Sequence, residues 1–298
     1  MDIRMNLHNF TSGASINKPQ TALTLDQLRI LAPSAFATEK HSSRSDRYTY
    51  IPTSAVIEGM IKAGFRAFSA KQSRSRIEGK AEFTKHIIRF RGENYSDSIV
   101  VGDVVPEVVV MNSHDGTSTY QISAGFFRLV CSNGLMVAEG MQDSIRVPHK
   151  GNIIDQVIEG SNRIVNGSQP AIQAIETWNR LELSAGEQLA FAEAAHTLRF
   201  ADAEGKTNTP ITAEQLLRPR RSADAKNDLW VTMNRVQENV IKGGLHGVQR
   251  GFDQRGRATR RNVTTRTVNG IDQDTKLNRA LWTLAERMAE LKGVGKVA

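Results

Sequence analysis

The segment 106–137, PEVVVMNSHDGTSTYQISAGFFRLVCSNGLMV, constrains the fold of this chain more than any other. Glu107 to Met111 is a short run dominated by β-branched valines, and a second extended run starts near Thr119. Between them, His114-Asp115-Gly116-Thr117 supplies turn residues, and Gly116 can take the positive φ that other residues resist. Two strands joined by so short a link pair antiparallel, because a parallel partner needs a crossover of a dozen residues or more.

The same sheet extends toward the N-terminus. Arg66 to Arg74 and Phe83 to Arg91 alternate with period two, and Arg76 to Lys80 reads as their exposed connection. Along the second of these, Phe83, Lys85, Ile87, Arg89 and Arg91 share one face, while Thr84, His86, Ile88 and Phe90 share the other. Three cations therefore lie on a single face. Thr24 is placed to cap a short helix carrying Leu25, Leu28 and Leu31, and Thr53 to cap one carrying Val56, Ile57, Met60 and Ile61, closed by Gly64.

After Asn152 the period changes from strand to helix. Ile154, Val157, Ile158, Ile164 and Val165 form an apolar stripe, resumed by Ile172, Ile175 and Trp178. Ser184 and Glu187 form a capping box that opens a helix through Phe200, and Asp228 starts another that Gly243-Gly244 stops. Leu277, Leu281, Leu284, Met288 and Leu291 mark the last helix, a stripe that suits core packing better than a coiled coil. The expected fold is α+β: an antiparallel sheet packed with helices over 23–150, followed by a helical C-terminal half over 151–298. Residues 1–22 read as a flexible polar arm, and 250–268 as a mobile arginine-rich segment.

Charge gives the first indication of a partner. The 39 Lys and Arg outnumber 31 Asp and Glu, for a net charge of +8. Arg250, Arg255, Arg257, Arg260, Arg261 and Arg266 face only Asp253 between Arg250 and Val268, and a polyanion is the natural ligand of such a segment. Arg218-Pro219-Arg220-Arg221 is a second cationic knot. No apolar run approaches the ~20 residues that span a bilayer, and the first residues lack a secretory signal pattern, so a cytoplasmic location is expected.

Enzyme signatures are absent: there is no GxxxxGK[ST], GxGxxG after a strand, HExxH, GxSxG or CxxC. Cys131, the single cysteine, sits among Leu129, Val130 and Leu135 and reads as a buried hydrophobe. His114 beside Asp115 is the best catalytic suggestion, but Asp-Gly is turn chemistry first. A metal site from His86, His114, His149 and Asp115 has no recognised spacing. No cofactor, metal or catalytic activity is expected.

The NSHDGT and RLVCSNG strings, with Val147-Pro148-His149, VIEGS at 157–161 and LNRALW at 277–282, resemble the uncharacterised phage/plasmid-like proteins of bacterial mobile elements, from about Tyr48 to Glu290. The resemblance implies a phage or plasmid setting in a bacterial host cell and no settled activity. A second similarity, over about 24–130, rests on the order of the Leu25–Leu31 helix, Tyr50-Ile51-Pro52, the Val56–Ile61 helix, Gly64-Phe65 and paired strands. That order looks like the opening of single-strand annealing proteins of the Rad-fifty-two, Red-beta and Erf types. It implies a ring or arc of subunits holding one DNA strand in a basic groove.

The resulting expectation is sequence-independent DNA binding, single-stranded DNA preferred, by a homo-oligomer acting in recombination. Lys71, Arg74, Lys85, Arg89, Arg91 and Arg128 would contact phosphates, and Arg255, Arg257, Arg260 and Arg261 would raise affinity and association rate. Tyr48, Tyr50, Phe126 and Phe127 are the candidate stacking faces. The alternatives are a protein-binding factor that neutralises a host defence complex, and a metal-dependent nuclease using His114 and Asp115.

Overall fold

The computed structural model describes residues 21–44, 50–92, 104–128, 133–136, 145–146 and 153–294. The arm up to residue 20, Tyr48, Cys131 and His149 lie outside the described residues. The first helix, α1 (Leu25–Leu31), begins where the sequence predicts: the Thr24 hydroxyl accepts from the Gln27 amide, and the Gln27 side chain accepts from the Thr24 amide. In α2 (Thr53–Lys62) the N-cap is Pro52, so the expected Thr53 cap is corrected. Thr53 is the first helical residue, and its hydroxyl bonds buried side chains of the sheet instead.

Five strands follow in spatial as well as chain order: β1 (Phe65–Gln72), β2 (His86–Gly92), β3 (Val104–Asn112), β4 (Gln121–Arg128) and β5 (Asn133–Met136). All neighbours pair antiparallel, and β6 (Ile145–Arg146) also pairs with β4. Ala81 to Phe83 is a 3-10 turn, so Arg74 and Lys85 flank the strands they were expected to occupy. The middle strand, β3, is buried along its whole length. On one face Ile88, Phe90, Val108, Val110 and Ile122 join the main apolar core, against α2 and α3 (Ile153–Asn166). The opposite face holds Arg89, Glu107 and Val109, in accord with the period-two pattern.

The C-terminal half continues with α4 (Gln169–Trp178), α5 (Ala185–Phe200), α6 (Ala213–Leu216), α7 (Leu229–Lys242) and α8 (Ile271–Leu291). Ser184 and Glu187 form the expected capping box at α5, and Asp228 caps α7 through the Val231 amide at 2.8 Å. Every residue of α7 from Leu229 to Val240 is buried. A helix enclosed on all sides must satisfy its polar side chains internally. Arg235 accordingly donates to Gln188 at 2.8 Å, Glu238 accepts from Arg221 at 2.6 Å, and Gln237 donates to Asn278 at 2.5 Å.

One cluster of buried apolar side chains runs through both halves. Trp282 joins them, with its ring 6.1 Å from Phe126 of β4 and 4.7 Å from Trp178 of α4. Leu277, Leu281 and Met288 lie within this cluster and Leu284 packs against it, so the α8 stripe is core except at its last member, Leu291, which is 83% exposed.

The segment expected as an irregular arginine-rich arm is instead a two-stranded antiparallel ribbon, β7 (His246–Phe252) and β8 (Ala258–Thr264). Asp253 builds its turn: one carboxylate oxygen accepts the Arg255 and Arg257 amides, both at 2.9 Å, while Gly256 takes φ +74°. A tight turn followed by a left-handed glycine matches the right-handed twist of paired strands.

Candidate nucleic-acid interface

The cationic face of the sheet is not an open phosphate track. Arg89 and Arg91 each donate to one oxygen of Glu107, both at 3.0 Å. Glu107 is 2% exposed and Arg91 4%, and the Arg91 guanidinium lies 4.1 Å from the centre of the Phe68 ring. Burial dictates the arrangement, because an unpaired charge inside a sheet loses its hydration without replacement. Lys85 pairs with Asp272 at 2.6 Å, and Lys71 reaches Asp274 at 3.8 Å and the Val268 carbonyl at 3.4 Å. The start of α8 thus supplies carboxylates to the same cations that were expected to hold phosphates. Burial pushes the Asp274 carboxyl above its ordinary range, opposed by Arg89 and Lys71.

Of the remaining sheet candidates, Arg74 is exposed, and the Arg128 side chain lies outside the described residues. Two of the four proposed stacking faces have side chains within the described residues. Phe126 is buried, and Tyr50 is half-buried with its hydroxyl donating to the Ala37 carbonyl. The Phe127 side chain lies outside the described residues.

The side chains of His114 and Asp115 have separate hydrogen-bond partners. His114 lies within 3.4 Å of the Thr53 hydroxyl, in a buried cluster where His86 bridges Thr53 at 2.9 Å and Ser34 at 3.1 Å. Asn112 donates to Thr53 at 3.1 Å. Both imidazoles are fully buried, which lowers His86 to about 3 and His114 to about 4 and keeps them neutral. The proximity of the two rings lowers His86 further. Asp115 serves the turn: its carboxylate accepts the Thr117 amide at 3.0 Å and hydroxyl at 2.6 Å, with Lys80 at 3.5 Å. Burial alone would raise this carboxyl, but those donors, with Ser113, hold it below the usual range. Among the described residues no group of three His, Cys, Asp or Glu is placed to hold a metal ion.

The ribbon is the exposed cationic surface. Cross-strand register puts Arg250 directly opposite Arg260, and Arg261 opposite Gln249 on the other side. Arg250, Arg255, Arg260 and Arg261 are exposed, and their guanidiniums have no partner among the described residues. Arg257 is the exception, pairing with Asp253 at 2.9 Å. The second cationic knot is divided: Arg220 donates to Asn239 and to the Gly243 carbonyl, and Arg221 pairs with Asp224 and Glu238, while Arg218 is exposed. Sequence reasoning missed Phe252, which follows Arg250 on the same face and is 79% exposed. The signal was present as alternation through Val248, Arg250 and Phe252, followed by a turn of the form Asp-x-x-Gly.

Fold and surface define an α+β protein in which Arg89 and Arg91 of the sheet are paired inside and four unpaired arginines stand on an exposed ribbon. The chain belongs to the family described as "Domain of unknown function (DUF932)", whose profile matches residues 40–282. It is similar to two proteins of Escherichia coli (strain K12), UPF0380 protein YafZ and UPF0380 protein YfjQ. Each is 43% identical over 275 residues, covering 92% of this chain and 94% of the relative. The full-length family resemblance read from the sequence strings is borne out, whereas the similarity to annealing proteins finds no counterpart among these matches. No solved structure matches the chain significantly.

Proposed function

We propose that this protein binds nucleic acid without regard to sequence, single-stranded DNA in preference, through the arginines of the β7–β8 ribbon. The observation that supports this is the set of four exposed guanidiniums without partners among the described residues, in a chain whose β2 arginines, Arg89 and Arg91, are both paired with Glu107. Arginines aligned on a ribbon neutralise a phosphate backbone and release its counterions without reading base edges. The family resemblance supports a phage- or plasmid-derived setting, with action in the bacterial cytoplasm and a part in recombination. Among the described residues no helix is long and apolar enough to cross a membrane. Self-assembly of the protein on DNA belongs to the same proposal and now rests on the annealing-like layout alone, since the α8 stripe is core.

Fluorescence anisotropy with single-stranded DNA, duplex DNA and RNA, across a salt series with and without magnesium, tests the reading. Single-strand affinity should fall with salt at a log–log slope of about 0.7 for each phosphate contacted. Absence of binding, or a flat salt response, overturns it. Magnesium-dependent degradation that survives purification and is lost in folded His114→Ala would put nuclease chemistry in its place.

A further inference from the structure

Arg250 and Arg260 face each other across the ribbon, and like charges directly opposite in an antiparallel pair destabilise it. No carboxylate shares their face, whose remaining members are His246, Val248, Phe252, Ala258, Asn262 and Thr264. Asp253, the nearest acid in sequence, is engaged with the turn amides and Arg257. Two forks left facing each other suit a single anion that each can approach through paired N–H donors. Phe252 stands two residues along the same strand face, about 7 Å away. Its ring is exposed, on a ribbon where burial demands no aromatic at all. A phosphate and the base it carries are separated by a comparable span.

We propose that Arg250, Arg260 and Phe252 form a site for one nucleotide unit of a single strand. The phosphate lies between the two guanidiniums and the base stacks on the Phe252 ring. This rests on the nucleic-acid reading above and deepens it by making Phe252 the residue that separates single strand from duplex, whose bases are already stacked. The arginines contact backbone in either form. The aromatic face acts only on an unpaired base.

The test uses the full chain and three labelled probes of equal length: oligo-dT, an abasic deoxyribose-phosphate strand and a duplex. Variants Phe252→Ala, Phe252→Trp and Arg250→Ala/Arg260→Ala are first checked for unchanged circular dichroism. Phe252→Ala should weaken oligo-dT binding on the order of tenfold, the effect of losing one base–aromatic contact, and leave the abasic and duplex affinities unchanged. Phe252→Trp should restore oligo-dT binding, and the double arginine variant should weaken all three probes. If Phe252→Ala weakens all three alike, or none, the stacking site is wrong while the arginine ribbon stands. If the wild type binds no probe, both readings fall. If Phe252→Ala instead dissociates a homo-oligomer with DNA affinity unchanged, the ribbon is a self-association element and the site is overturned.

Discussion

Strand β2 and the β7–β8 ribbon carry similar basic patterns, yet the fold treats them in opposite ways. Arg89 and Arg91 stand two apart on β2, and Arg250 and Arg260 stand opposite each other across the ribbon. The β2 pair is closed by Glu107, a residue from the neighbouring strand, while Arg250, Arg255, Arg260 and Arg261 meet no acid among the described residues and only Arg257 pairs, with Asp253. Solvent explains the difference. Inside the sheet an unpaired guanidinium costs several kcal/mol, so the adjoining strand must supply a carboxylate. On a ribbon wetted on both sides no such demand exists. Alternating cations in a strand therefore locate a face, and acids distant in sequence decide whether that face is available to a ligand.

The comparison breaks most decisively at Arg89→Glu/Arg91→Glu. Two new carboxylates beside buried Glu107 should cost at least the about 3–5 kcal/mol of a broken buried pair, read as a large fall in the urea midpoint or as failure to fold. A variant that folds normally but loses DNA affinity would return the sheet face to the interface. Acid should separate the regions next. His86 and His114 titrate near 6.5 when unfolded but at about 3 and about 4 in the fold, so below pH 6.5 the unfolded chain takes up protons that the fold refuses. Stability should fall with decreasing pH through that window by up to about 1.4 kcal/mol per unit for each ring, and not change from this source above it. A melt insensitive to pH between 6.5 and 4 would remove the buried neutral pair from the account.

Gly116→Val sharpens the same contrast at a smaller scale. Gly116 has φ +75°, and a Cβ there would lie 2.6 Å from an Arg44 nitrogen. Strain of about 1–3 kcal/mol should appear in thermal unfolding, and an unaffected midpoint would show that the turn relaxes freely. The smallest stability effect belongs to Arg250→Ala/Arg260→Ala, within about 0.5 kcal/mol of wild type because nothing buried is lost. A marked destabilisation would mean that the ribbon arginines are structural after all.

Local rules were legible wherever the cause was local. Thr24, Ser184 and Asp228 announce helix starts because their side chains bond amides two or three residues on. The α8 stripe announces its buried face through helical spacing, and the sheet through its short turns. The charge partners were not legible: nothing near Lys85 in the chain points to Asp272, 187 residues away. Glu107 did leave a trace, as a lone acid inside a valine run, where burial demands a cation on the next strand. Thr53 was misread because a threonine before an apolar helix signals a cap, whereas here the buried histidines claim its hydroxyl. The ribbon escaped notice because neither face is buried, so the alternation through Val248, Arg250 and Phe252 is broken by a cation and lacks the sustained apolar face that identifies a strand.

The base of the ribbon is fastened to the middle of the molecule. Gly244 donates to Thr265 at 2.8 Å, Val268 to Ile241 at 2.8 Å, and the Thr267 hydroxyl to Lys242 at 2.9 Å, while Arg220 holds the Gly243 carbonyl. Gly247 passes so close to Pro210 that a Cβ would lie 2.7 Å from its carbonyl oxygen. Apart from the Pro210 contact, these ties converge on the C-terminal end of α7, the helix buried from Leu229 to Val240. A strand pulling on the tip therefore loads the central pillar and not a detachable flap. Whatever the ribbon holds, a force applied at its tip passes through these hydrogen bonds to the end of a buried helix.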